Sequence, residues 1–318
     1  VRYLWSRNEV HLGSADFPMK GYPADLVTGE GLERVFEKLG WAVSVVVNCA
    51  AVSQPGACER DPAGCRAVNV PSRLVACMQR QLDKTGEAPL LIHLSTDQVY
   101  DGARGGYGEG DACEPVNEYG RSKLLAEEYI RAHWSNHVIL RSSIIYGPPP
   151  TVPVGRGLFL QFIEDALRSG KETQFFADEW RCPIFIDDIC STIARVLARA
   201  MIVNHAPERP KECQIPLDMP QTINMGGPDK LSRVDMARLV AEAAGLDPAP
   251  IKECSAAAVD RPYKSPADIS MDTTLLTEVL KVKTTSFIDA LHKMYQHQSK
   301  ASSMTRGEDS VEVDLTAA

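Results

Sequence analysis

The sequence predicts an α/β protein built on a doubly wound parallel sheet. Two observations carry the prediction. Short apolar runs recur without the polar alternation of a one-sided strand: VSVVVN at 43–48, LLIHL at 90–94 and HVILRSSIIYG at 137–147. Such runs suit strands covered on both faces, as in parallel sheets. Between them lie stretches with helical spacing, and strands that alternate with helices pair in parallel through crossover units.

From the N-terminus, Thr28 can cap a helix in which Leu32, Val35, Phe36 and Leu39 fall at i, i+3, i+4 and i+7, with Gly40 at its stop. The first buried strand follows at 43–48. Asp61-Pro62 then reads as the N-cap and first position of a helix running toward Leu82, kinked at Pro71. Pro89 leads into the second strand, and a helix holding Tyr119 and Lys123 precedes the third. The alternation gives a Rossmann-like α/β domain over residues 1–150. At PPPTVPVGRG (148–157) the texture changes, and helices are expected at 158–168 and 187–203, with a Pro-rich exposed loop over 204–220. QTINM then forms a strand, Gly-Gly-Pro a turn, and Ser232 the N-cap of an amphipathic helix. Residues 151–296 make a smaller second region with segments returning to the sheet. Residues 297–318 are polar, acidic and aperiodic, and read as a disordered tail.

Composition narrows the function. A net charge of −8 without a long basic block argues against a nucleic-acid partner, which needs clustered Lys and Arg. No apolar run approaches the ~20 residues of a membrane helix, and the N-terminus lacks the apolar core of a secretory signal. The nine cysteines are scattered, with no CxxC and no Cys/His cluster of metal spacing. Reduced thiols in the cytoplasm and a protein without a resident metal fit that pattern.

Two stretches carry chemistry: LIHLSTDQVYDG (91–102) and NEYGRSKLLAEEY (117–129). Tyr119 and Lys123 stand one helical turn apart and project from one face. A phenol titrates near ~10 and is a poor acid or base at neutral pH, unless a cation such as Lys123 stabilises its phenolate. Thr96 closes a strand at the carboxyl end, where open α/β sheets place ligands. The three suit proton transfer to a carbonyl oxygen while a nicotinamide delivers hydride to its carbon. Other residues admit plainer roles: Asn48 as backbone support at a strand end, Arg141 as an ion-pair partner, Asp97 as a loop cap, and Asp260 with Arg261 as a surface pair.

Together, VVVNCAA, LSTDQVYDG, VNEYGRSKLLAEE, LRSSIIYGP and DRPYKSPADISMD resemble the extended short-chain dehydrogenase/reductase superfamily. The similarity covers about residues 23–290. It is nearest the branch of dTDP-4-dehydrorhamnose reductases and of the regulatory beta subunit of methionine adenosyltransferase. The resemblance implies a domain for NADP or NAD, with the second region closing over a nucleotide-sugar-like substrate. It makes Thr96, Tyr119 and Lys123 the catalytic triad, with Tyr119 the general acid/base and Lys123 holding the nicotinamide ribose and lowering the phenol's pKa. Cofactor contacts carry over to Asp25, Leu26, Asn48, Cys49, Ala50, Ala51, Ser142, Ser143 and Ile144. Substrate contacts carry over to Ser95, Thr96, Asp97, Arg181 and Pro183.

The sequence departs from that pattern at two places. Dinucleotide binding calls for a Gly-rich first turn at a helix N-terminus; GEG at 29–31 is followed by Arg34 and falls after the expected turn. The first strand, glycine loop and first helix, a unit of about 30 residues, are thus expected to be missing upstream of Val1. That would leave an incomplete cofactor site and an open sheet edge. The second departure is Gln98, where the reductases carry an aromatic residue. Three functions follow: an NAD(P)H-dependent reductase of a nucleotide-linked 4-keto-deoxysugar, a non-catalytic subunit docking on methionine adenosyltransferase in S-adenosylmethionine synthesis, or an inactive truncated form.

Overall fold

The computed structural model describes residues 2–5, 20–37, 42–149, 157–204 and 220–296. Two short strands, β1 (Arg2–Trp5) and β2 (Lys20–Pro23), pair in parallel with each other. After α1 (Leu32–Glu37) comes β3 (Val45–Asn48), then α2 (Pro55–Arg60), α3 (Pro62–Asn69) and α4 (Ser72–Thr85). The strand β4 (Leu90–Thr96) leads to α5 (Glu118–His133) and β5 (His137–Ser142). The remainder comprises β6 (Ile145–Tyr146), α6 (Phe159–Ser169), β7 (Thr173–Phe176), β8 (Trp180–Arg181), β9 (Ile184–Phe185) and α7 (Ile186–Asn204). It closes with β10 (Thr222–Met225), β11 (Leu231–Ser232), α8 (Arg233–Ala244), β12 (Ile251–Cys254) and a helical stretch at 287–296.

The main sheet is parallel, ordered β10-β5-β4-β3. Strand β4 is central and apolar on both faces, with Leu90, Leu91 and Ile92 buried, as its unalternating sequence requires. One face packs Leu90, Ile92, Val138 and Leu140 against Ile189 and Val196 of α7. The opposite face packs Leu91 with Leu74, Val75 and Met78 of α4 and Leu32 of α1. The second region has its own core, in which Leu160 and Ile163 of α6, Val240 of α8 and Phe287 surround Tyr146.

Several boundaries differ from the sequence reading. The first helix starts at Leu32, because Asp25 and Thr28 are engaged upstream in a turn: Asp25 Oδ1 accepts from the N–H of Val27 and of Thr28, and Thr28 Oγ1 accepts from Glu30 N–H. Leu39 and Gly40 lie outside the described residues, as do 205–219 of the expected loop and the 297–318 tail. The helix expected from 61 toward 82 is two helices. Asp61 caps the first through Gly64 N–H, and Pro71, which has no N–H to give, separates it from the second.

The run at 137–147 leaves the sheet at Ser143, and Ile145–Tyr146 pairs with β9 instead. Strand β3 is covered on one face, not two: Val46 packs in the core while Val45 and Val47 are 36% and 44% exposed. Among the described residues β3 pairs with β4 alone.

Candidate active site

The site grows from the carboxyl ends of three adjacent parallel strands, where Asn48 of β3 is in register with His93 of β4, and Thr96 at the end of β4 with Ser142 of β5. Helix α5 lies against them because its start is fastened. Asn117 caps it by accepting from Gly120 N–H at 2.9 Å and donates to Gln98 Oε1 and to the Lys264 carbonyl. Gly120 makes the approach possible, since a Cβ there would lie 2.1 Å from the Gln98 carbonyl oxygen. Tyr119 and Lys123 therefore face the strand ends, both buried.

The phenol of Tyr119 lies by Thr96, Cys58 and Cys65. Burial pushes its pKa well above the ordinary range. The Thr96 hydroxyl pulls the other way, while Asp97 and the two thiols add to the rise. Lys123 is not among the main groups acting on it. Lys123 Nζ points elsewhere, donating to the Leu94 carbonyl at 2.7 Å and lying 3.1 Å from His93 Nε2, and burial lowers its pKa to about 8.

The remaining residues sort by their partners. Asn48 Oδ1 accepts from Ala50 N–H, and its amide nitrogen lies 3.0 Å from His93 Nδ1. Cys49 and Ala50 are exposed and Ala51 half-buried, flanking that strand end. Asp97 is buried; the Ser143 hydroxyl donates to it at 2.8 Å and the Thr96 hydroxyl at 3.2 Å. Burial raises its pKa against the pull of Arg181. Ser143 Oγ also accepts from Cys182 N–H, and Ile144 accepts from Ile184 N–H, which ties the 142–144 turn to the segment bearing Arg181 and Pro183. Ser142 donates to the Ser143 carbonyl.

Some expected contacts have structural partners instead. Arg181 is 2% exposed and donates to the carbonyls of Trp180, Pro266 and Ala267. Pro183 is buried. Asp25 is held in its own turn, and Leu26 packs against the core beside α4. Arg261 pairs with Glu179 at 2.8 Å, not with Asp260. Arg141 forms a buried ion pair with Glu127, 2.8 Å at its shortest. Burial would raise that carboxyl, but Arg141 holds it below the carboxylate range.

The sequence reading missed His93, Glu127, Glu179 and Arg233. Glu127 follows Lys123 by one turn on the same inner face, a signal available from spacing. His93 interrupts an otherwise apolar strand, the other legible signal. Glu179 and Arg233 carry none: Arg233 lies 3.9 Å from Glu179 and over the Phe159 ring through tertiary packing alone. A cavity of about 500 Å³ opens between the 101–103 loop and residues 256–267, its charged lining formed by Asp101, Asp178, Glu179, Asp260, Arg261 and Lys264.

A family model described as the RmlD substrate binding domain matches residues 6–300. The chain belongs to that family. It lies within the extended short-chain dehydrogenase/reductase superfamily and among relatives of dTDP-4-dehydrorhamnose reductase. It is 34% identical over 204 residues to the probable low-salt glycan biosynthesis reductase Agl14 of Haloferax volcanii, covering 62% of this chain and 65% of that protein. It is 31% identical over 158 residues to methionine adenosyltransferase 2 subunit beta of Danio rerio, covering 49% and 46%. The chain thus spans less than two thirds of the length of either relative. A dTDP-4-dehydrorhamnose reductase from Bacillus anthracis, solved with NADP, shares the fold with a TM-score of 0.72 at 16% identity, over 90% of this chain and 92% of the other.

Proposed function

We propose that this RmlD-family chain is a reductase of a nucleotide-linked 4-keto-deoxysugar, with Tyr119 as proton donor and Thr96 binding the carbonyl oxygen. One observation carries the reading: the Tyr119 phenol is buried beside Thr96 at the carboxyl ends of the parallel strands. A phenol placed beside Thr96 at the strand ends is positioned to pass a proton to a carbonyl oxygen as charge develops there. The direction proposed is reduction. The Agl14 likeness and the NADP-bound structural neighbour support it.

Reduction requires a hydride, which bound NADPH or NADH would supply. The residues present fit the nicotinamide-ribose end of that cofactor, since Tyr119, Lys123, Asn48 and Ser143 gather at the strand ends. The described residues fit its pyrophosphate end poorly. The G-x-G at 29–31 serves packing, because a Cβ on Gly31 would lie 2.1 Å from the Pro23 carbonyl oxygen, and Asp25 is engaged in its own turn.

The test is NADPH consumption with dTDP-4-dehydrorhamnose by the wild type and Tyr119→Phe. Loss of the phenol should lower kcat by about 10²–10⁴; an unchanged kcat would overturn the role given to Tyr119.

A second reading, favoured by the 31% identity to methionine adenosyltransferase 2 subunit beta, is a regulatory subunit on that enzyme. A fold of this kind hosts both uses. Co-elution with the transferase and a changed affinity for methionine would support it, and Tyr119→Phe would leave that effect intact.

A further inference from the structure

Two buried thiols that the proposed reaction does not use stand together between α2 and α3. Cys58 and Cys65 are 0% and 2% exposed, both reduced, and their sulfurs lie 2.7 Å apart. That is about 0.7 Å more than the S–S bond length of about 2.05 Å. The chain itself brings them together. Asp61 is the one residue between the two short helices, and it caps the second through Gly64 N–H, so α2 and α3 pack on each other and on α5.

The polar groups around the pair are arranged so that losing both S–H hydrogens strands nothing. The Cys58 thiol donates to the Val52 carbonyl at 3.4 Å, and the Cys65 thiol reaches Cys58 Sγ and, at 3.4 Å, Ser122 Oγ. Both oxygens have a second donor in the fully buried Asn69, whose Nδ2 lies 3.1 Å from the Val52 carbonyl and 2.8 Å from Ser122 Oγ. Val52 N–H donates to Asn69 Oδ1 at 2.7 Å, which fixes the amide this way round. An amide nitrogen carries two hydrogens. They match the two oxygens left when the thiols are oxidised; the third contact of Nδ2, 3.3 Å to Cys65 Sγ, is to a weak acceptor. Ser122 Oγ keeps its own donation to the Tyr119 carbonyl.

We infer that Cys58 and Cys65 are a redox pair that closes to a disulfide under a peroxide and cross-links α2 to α3. Burial selects the oxidant. A peroxide is small enough to reach the pair, whereas exchange with a glutathione-type disulfide would lodge a tripeptide between the helices in the mixed intermediate. One sulfur, as thiolate, attacks a peroxide oxygen; the S–O bond forms, the O–O bond breaks, and the released hydroxide leaves as water with the thiol's proton. The second sulfur gives up its proton and attacks the sulfenic sulfur; the S–S bond forms, the S–O bond breaks, and a second water departs. The two thiols lose two electrons and two hydrogens, and one hydrogen peroxide becomes two waters. Burial pushes the Cys58 thiol well above its ordinary range, with Cys65 and then Glu118 and Glu59 adding to the rise, so the first step is slow. The second is fast, because the partner sulfur is already in contact. Closure halts the pair short of sulfinic acid, in a form that a dithiol reverses.

The test is peptide mapping of the native chain, its exposed thiols, Cys49 and Cys190 among them, capped first by N-ethylmaleimide and the chain then treated with excess hydrogen peroxide. After unfolding and trypsin without reductant, the 61–66 peptide should be joined to the peptide carrying Cys58, two hydrogens lighter than their sum, with Cys49 of that peptide still capped. Dithiothreitol should separate them. Cys58→Ser should abolish the join and leave Cys65 as a sulfenic acid that dimedone traps. Both thiols recovered free in the wild type, oxidised separately to sulfinic acids, or joined to other cysteines would overturn the inference. The wild-type map decides by itself should the variant not fold. Neither cofactor nor turnover enters the readout, so the result is independent of the reductase reading.

Discussion

Replacing Lys123 with Met should abolish a specific alkaline rise in stability. Lys123 is 1% exposed, and burial brings its pKa from 10.5 to about 8. Between those values the unfolded chain holds a proton that the folded chain has lost, so stability rises with pH across the window. The gap, at about 1.36 kcal/mol per pH unit, amounts to about 3 kcal/mol. That stabilisation is absent below pH 8, where folding must bury the charge, and complete above 10.5. Methionine fills similar space without a titrating group. It leaves the Leu94 carbonyl and His93 Nε2 without their partner, at a cost of about 1–3 kcal/mol, so at neutral pH the net change is small. The slope is the clearer signature. Urea unfolding followed by tryptophan fluorescence, with Trp134 buried in the core, should show the wild type gaining about 3 kcal/mol on the variant from about pH 8 to 10.5. Other titrating groups cancel in that comparison. Parallel curves for the two proteins would refute the reasoning.

Gly120→Ala forces a methyl to within 2.1 Å of the Gln98 carbonyl oxygen; it should destabilise by about 1–3 kcal/mol and displace Tyr119 from Thr96, seen as a lower kcat in the fraction that stays folded. Glu127→Ala strands the buried Arg141 guanidinium and should cost about 3–5 kcal/mol in urea unfolding, whereas replacing Glu127 and Arg141 together by leucine should cost less than Glu127→Ala alone. Ser232 and Asp235 form a reciprocal cap at the start of α8, so Ser232→Ala should cost about 1 kcal/mol with turnover unchanged.

The parallel sheet was legible because its strands are apolar throughout, and the pairing of Tyr119 with Thr96 because one helical turn and a strand end suffice to describe it. What escaped was set by partners distant in sequence. Val45 and Val47 look like core residues until the neighbours of β3 are known. Lys123 and Tyr119 share a helix face, yet burial and the Leu94 carbonyl, not the phenol, govern the amine. Arg181 and Asp25 match substrate and cofactor positions by motif, respectively, but backbone carbonyls around 266 and a local turn engage them. Such competition between a ligand and the chain's own backbone leaves no mark on spacing. The capping roles of Asn117 and Ser232 were different in kind, since a cap is written in adjacent residues, and Ser232 was read correctly.

The most direct test of the reductase reading is deuterium transfer from NADPH labelled at the transferring C4 position to dTDP-4-dehydrorhamnose, followed by mass spectrometry of the sugar nucleotide. One deuterium bound at the reduced sugar carbon, present with the wild type and lost with Tyr119→Phe, is the predicted result. A sugar nucleotide recovered unreduced and unlabelled, while methionine adenosyltransferase responds to the same protein preparation, would contradict it.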